Sequence, residues 1–161
     1  MQKSKSRAGV FAIILGVVLT YGGLAFAQAD PFVGVWELDV AKSTFMSGGA
    51  AVRSRTITIT ANPDGSFKHL QDTYRVGQDA ILKVSYDAKY DGSAAAVSGA
   101  AFSQVSFSRM GRTMTRKAVD VGMEVETATY SLSADGRTLT IVTKGNNRGI
   151  EYGSTQVFVK K

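Results

Sequence analysis

From residue 30 onward the chain repeats one theme: short runs rich in Thr, Val, Ile, Tyr and Phe, broken by Gly, Asn and Asp. Apolar residues at helical spacing are hard to find there, while alternation with a period of two recurs. Arg53 to Ala61 sets Ile57 and Ile59 against Thr56, Thr58 and Thr60. Ala80 to Tyr90 sets Leu82, Val84, Tyr86, Ala88 and Tyr90 against Lys83, Ser85, Asp87 and Lys89. Side chains along a strand point alternately to opposite faces, so these runs read as strands with one packed face and one wet face.

The first strand is expected at Gly34 to Val40, with Gly34, Trp36, Leu38 and Val40 on one face. Ala41 to Val52, with its Gly48-Gly49 pair, reads as irregular chain holding a short helical turn or lid. Asn62-Pro63-Asp64-Gly65 is a turn signal. It predicts a hairpin between Arg53–Ala61 and a strand from Ser66 to Val76. Further runs follow at Phe102 to Arg109, Thr113 to Val119, Glu124 to Ser133, Thr138 to Lys144 and Glu151 to Val159, with Ala94 to Gly99 a weak strand or a loop. The connections are short, which favours an up-and-down meander over a Greek key. A meander hides its two edges by rolling up. The expectation is an all-β protein: a single antiparallel barrel of about 8–10 strands.

Residues 1–27 read as a signal peptide whose apolar part is helical. Lys3, Lys5 and Arg7 precede an uncharged stretch from Ala8 to Ala25, and small residues then allow cleavage after Ala27 or Ala29. The apolar run is shorter than a membrane span of about 20 residues requires. With no Cys in the chain there is no acceptor for a lipid anchor. The barrel domain is expected over 28–161, periplasmic or secreted, meeting the membrane only transiently through its signal. Removing the leader leaves 16 Lys and Arg against 13 Asp and Glu. That modest balance, without a dense basic stripe, argues against a nucleic-acid partner, and a monomer is expected. The one basic cluster, Arg109, Arg112, Arg116 and Lys117, reads as a solvated hairpin.

The order of leader, Asp30-Pro31-Phe32-Val33-Gly34-Val35-Trp36 and a meander ending in Gln156-Val157-Phe158-Val159 resembles the calycins, which include the lipocalins and the cytosolic fatty-acid-binding proteins. With Ala41-Lys42-Ser43, Lys89-Tyr90-Asp91-Gly92 and Ala134-Asp135-Gly136-Arg137-Thr138-Leu139-Thr140, the chain looks like the exported lipocalin-like proteins of bacteria. The resemblance implies that Trp36 plugs the closed end of a barrel, with Gly34 admitting a close approach. Fatty-acid-binding proteins usually carry Arg-x-Tyr on the last strand to hold a carboxylate. The matching positions here are Gln156 and Phe158, so that clamp is missing.

Catalytic patterns are sparse. His69 is the only histidine, which excludes a three-histidine zinc site. It is a candidate general base, or a haem or metal ligand with Asp72, Met110, Met114 or Met123. Glu124 and Glu126, two apart on one strand, read as an outward pair. The absence of cysteine removes thiolate chemistry and iron–sulfur clusters.

Three functional readings stand. The first is an exported protein binding a small, mostly apolar and largely uncharged molecule inside the barrel, with Trp36, Tyr74, Tyr86, Tyr90, Phe107, Met123, Tyr130, Gln156 and Phe158 as its contacts. The second is an envelope structural or interaction module with a packed barrel, and the third an enzyme or haem protein using His69. The first carries no cofactor, no metal and no catalytic residue.

Overall fold

The computed structural model describes residues 30–46, 51–147 and 149–161. The expected leader, residues 1–27, and the Gly48-Gly49 pair lie outside the described residues. Ten strands follow one another: β1 Gly34–Met46, β2 Val52–Ala61, β3 Phe67–Arg75, β4 Leu82–Ala88, β5 Ala95–Ala96, β6 Gln104–Met110, β7 Thr113–Asp120, β8 Met123–Leu132, β9 Thr138–Asn147 and β10 Ile150–Lys160. They form one antiparallel sheet in the order β4-β3-β2-β1-β10-β9-β8-β7-β6-β5. Every neighbour in that order is also a neighbour in sequence except β1 and β10, so the meander is up-and-down.

The sheet rolls up until its two edges, β4 and β5, meet. Ser85 and Ser98 exchange backbone N–H···O bonds of 3.0 Å in each direction, and a second bridge joins Asp91 to Ser108. The barrel is therefore nearly closed, through a seam much narrower than most of its other junctions. Gly99 makes the seam fit. Its φ is +82°, and a Cβ there would run into the backbone carbonyl of Lys83.

The turn expected at Asn62-Pro63-Asp64-Gly65 joins β2 to β3, with Asn62 N–H donating to Ser66 O at 2.8 Å. The first strand departs from expectation. It does not end at Val40 but continues to Met46. The register with β10 shifts between Asp39 and Thr44. Ser43 holds the irregularity: its hydroxyl donates to Asp39 O at 2.7 Å and accepts from Val157 N–H at 3.0 Å. A strand that can bend at a bulge needs no break to follow the wall of a barrel.

The inward faces of the strands change character along the barrel axis. At one end Trp36, Ile57, Ile59, Phe67, Phe107, Met114, Leu139 and Phe158 are sealed from solvent and form a packed floor. Phe67 meets Phe107 edge-on at 5.1 Å and stacks on Tyr90 at 4.7 Å. Below the floor, residues 30–33 turn back and press Phe32 into it, and Trp36 Nε1 donates to Phe32 O at 2.9 Å. Asp30 secures that turn by accepting from Tyr90 OH at 2.7 Å and pairing with Arg109 at 2.9 Å. Gly34, at φ +143°, leaves room for the Lys160 side chain, whose ammonium lies 5.0 Å above the Trp36 ring.

Replacing Gly99 with Ala should therefore loosen the seam. A left-handed φ and a clash with fixed backbone together should cost about 2–4 kcal/mol, read as a lower urea midpoint. A midpoint unchanged from the parent would show that the seam does not depend on this glycine.

Candidate ligand cavity

Above the floor the interior is not filled. A cavity of about 1010 Å³ opens there, walled by residues of β1–β4 and β7–β10 and by the segment from Gly99 to Phe102. The wall follows from the strand period. On β2 the inward row runs Arg55-Ile57-Ile59, with the isoleucines in the floor and the arginine in the cavity. On β3 it runs Phe67-His69-Gln71-Thr73-Arg75, apolar only at its floor end. On β8, Leu132 and Ala128 join the core while Tyr130 and Glu126 border the cavity. On β10, Phe158 gives way to Gln156 and Ser154. Floor and cavity thus occupy successive positions of the same faces.

The cavity wall is charged. Arg116 and Glu126 pair within it, their side chains only 11% and 12% exposed. Arg116 also donates to Tyr130 OH at 3.3 Å, and its guanidinium lies 5.2 Å from the Phe102 ring centre. Arg55 donates through Nε to Thr73 Oγ1 at 2.9 Å and through Nη1 to Gln156 Oε1. Gln156 in turn donates to Ser154 Oγ at 2.8 Å. Among the described residues Arg55 makes no ion pair with a carboxylate, and burial pulls its guanidinium down to about 10. It is still a cation at neutral pH.

His69 is fully enclosed and stacks on Tyr86, ring centres 4.5 Å apart and planes within 9°. Burial, reinforced by Arg116 and Arg55, pushes its imidazole down to about 3. The ring is neutral in the folded protein. Burial likewise pushes the Tyr86 phenol up. Among the described residues, four enclosed polar atoms lack a protein partner: His69 Nδ1, Tyr86 OH, Arg75 Nε and Arg116 Nε.

The sequence-derived contacts separate in space. Tyr130 and Gln156 line the cavity. Trp36, Phe107 and Phe158 pack in the floor, and Tyr86 backs the cavity wall through His69. Tyr90 borders the floor beside Asp30. Tyr74 lies under the Arg53 guanidinium, away from the cavity lining, and Met123 sits 67% exposed at the β7–β8 turn. The groups considered as partners for His69 do not gather round it: Asp72 pairs with Lys83 on the surface, Met110 is 84% exposed, and Met114 belongs to the floor. Among the described residues no group of three or more His, Asp or Glu is placed to hold a metal ion.

Two charged residues lie where the sequence pattern did not put them. Arg116 belongs not to a solvated hairpin but to the inward row Met114-Arg116-Ala118 of β7. Glu124 and Glu126 do not share a face. The β7–β8 register slips between Ala118 and Val119, leaving Val125 unpaired, so Glu126 turns inward while Glu124 pairs with Lys117 outside at 3.0 Å. Arg55 and Arg75 were not singled out at all. Strand parity finds both: Arg55 shares the phase of Ile57 and Ile59, and Arg75 that of Phe67.

A ten-stranded, nearly closed antiparallel barrel of this kind has the fatty-acid-binding-protein and lipocalin type of fold. Two single-residue mutants of the fluorescent protein UnaG superpose with TM-scores of 0.55 and 0.54 at 13% and 14% identity, covering 81% and 80% of this chain and 96% and 95% of theirs. Zebrafish ileal bile acid-binding protein, solved with cholic acid, gives a TM-score of 0.55 at 12% identity, covering 82% of this chain and all of its own. No family model and no curated protein sequence matches the chain.

The enclosed imidazole sets a pH dependence. Its folded value lies below the ordinary imidazole value of 6.5, so between about 6.5 and 3 the unfolded chain binds more protons than the folded one. Stability then falls as pH drops through that window, by up to about 1.4 kcal/mol per pH unit from this group. His69→Gln should flatten the fall between pH 6.5 and 4.5 in urea titrations. Equal slopes for parent and variant would remove His69 as the cause.

Proposed function

We propose that the chain is an exported binding protein, not an enzyme, that holds one small, mostly apolar molecule in the upper half of its barrel. One observation carries the reading: the strands surround a cavity of about 1010 Å³ above a packed floor. That volume is at the upper end of ordinary ligand pockets, which pair apolar walls with a few placed polar groups. Val84, Leu82, Ile141 and Phe102 provide apolar wall here, and Tyr130, Thr143 and Gln156 provide hydrogen-bonding groups. The likeness to a bile acid-binding barrel supports the reading. The protein acts as a monomer on a ligand rather than on nucleic acid.

Nile red, a neutral apolar dye, should bind one-to-one with a saturable rise in emission. Ser154→Trp, which fills the cavity from β10, should weaken binding by about tenfold or more, equivalent to about 1.4 kcal/mol. Failure of the dye to bind the parent protein would overturn the proposal.

Export is the second part of the proposal, supported by the basic, apolar and small-residue order of residues 1–29. Expressed in full in a bacterial host, the chain should reach the periplasm or the medium with an intact mass that begins after Ala27 or Ala29. A full-length product confined to the cytoplasm would contradict it.

A further inference from the structure

We propose that the chain carries a second binding site, separate from the barrel cavity, which holds a neutral sugar unit of a glycan against the upper parts of β8, β9 and β10. It goes beyond the carrier reading above and does not depend on it.

The site is a second pocket of about 600 Å³, walled by residues 124–127 of β8, 142–146 of β9 and 151–155 of β10, with Thr44 of β1 at its border. Its charges nearly cancel. Glu124 pairs with Lys117 at 3.0 Å and accepts from Thr127 Oγ1 at 2.9 Å. Glu126 is committed to Arg116. Glu151 and Lys144 remain on the wall, one of each sign. Neither an anion nor a cation finds a surplus of counter-charge there. Among the described residues there is also no cluster of ligands for a metal ion.

What the wall offers in quantity is neutral hydrogen-bonding groups: Thr44, Thr143, Ser154, Thr155 and Asn146. A hydroxyl both donates and accepts, so such a wall matches a ligand whose own groups do the same. Its apolar part is small, Val125, Val142 and the ring of Tyr152. A wholly apolar molecule would cover these hydroxyls without replacing their water, which is unfavourable. A pyranose has the complementary make-up: a rim of hydroxyls and a patch of C–H groups.

The local sequence is arranged around the aromatic ring. Tyr152 lies opposite Gly145 across the β9–β10 ladder. The end of its ring occupies the place where a Cβ on Gly145 would be, and its hydroxyl reaches over β9 to donate to Val125 O in a long bond of 3.4 Å. Glycine inside a strand weakens it and marks a close approach. Here the close approach is that of the half-buried Tyr152 side chain, which any larger residue at 145 would push off the sheet. The ring is thereby held flat as an apolar platform with a polar edge. C–H groups of a sugar can lie on such a platform while its hydroxyls meet the threonines around it.

The test is a titration followed by backbone amide NMR, with three probes: maltotriose and triacetylchitotriose, both neutral, and trigalacturonate, which is anionic. At least one neutral sugar should give saturable shifts with a dissociation constant of about 1 mM or tighter. The largest shifts should fall on Thr127, Lys144 and Thr155 rather than on the cavity residues Arg55 and His69. Trigalacturonate should bind no more tightly than the better neutral sugar. Gly145→Ala, which displaces the ring, and Val142→Trp, which fills the pocket from β9, should each weaken binding by about tenfold or more, and the dispersion of their amide spectra shows whether they have folded. The proposal would be overturned by the absence of binding of either neutral sugar, by tighter binding of trigalacturonate, by shifts centred on Arg55 and His69, or by parental affinity in a folded variant. Nile red binding to the parent protein tests the barrel cavity separately, so either site can fail alone.

Discussion

A rolled sheet holds a cavity only if it closes, and closure here depends on one short seam. Eight of the nine junctions between neighbouring strands are hydrogen-bonded ladders of several residue pairs, and the ninth, β5 to β6, has two. The join between the edges β4 and β5 is as short, an exchange of hydrogen bonds between Ser85 and Ser98 and one further bridge from Asp91 to Ser108. Around it the chain is arranged to permit close approach: β5 has only two residues, and the Gly99 backbone passes against Lys83 where a side chain would not fit. Without this join, β4 and β5 would be exposed edges and the space between the walls would be a trough open to water.

Closure makes the contents of the barrel expensive or favourable according to what they are. At the floor end it seals aromatic and aliphatic groups, each worth about 1.5–3 kcal/mol when fully buried. At the other end it encloses guanidinium, imidazole and carboxylate, which lose hydration. The Arg116–Glu126 pair meets that cost internally, and removing either partner alone would strand the other at a cost of about 3–5 kcal/mol. The two ends therefore divide the labour: the floor stabilises the fold, and the cavity spends part of that stability to keep polar groups poised. Asp30 and Arg109 clamp the turn beneath the floor, so the stabilising end is also fastened from outside.

Much of this architecture is legible in the sequence. The alternation in β2 and β4, the turn at Asn62-Pro63-Asp64-Gly65 and the buried indole of Trp36 are properties of local residue order, and all appear where the pattern puts them. What is not legible depends on irregularities of register. The bulge that carries β1 past Val40 is held by Ser43 bonding to Val157, a residue from the other end of the chain. The slip at Val125 turns Glu126 inward against the simple rule of two. Arg116 was misplaced for a different reason. Charged residues usually face water, and that general preference outweighed the phase it shares with Met114. Where strand phase and charge disagree, phase is the better guide to direction, and the disagreement itself marks the cavity.

The wiring of the sheet has a consequence for the order in which the molecule assembles. β1 lies between β2 and β10, with Trp36 opposite Ile57 on one side and Lys160 on the other. On the ribosome the first strand acquires one neighbour early and waits for the other until the last eleven-residue strand has emerged. Pairings across such a sequence separation form slowly. The cylinder is thus completed by the pairing of β1 with β10, and a chain that stops before β10 leaves the first strand with a bare flank.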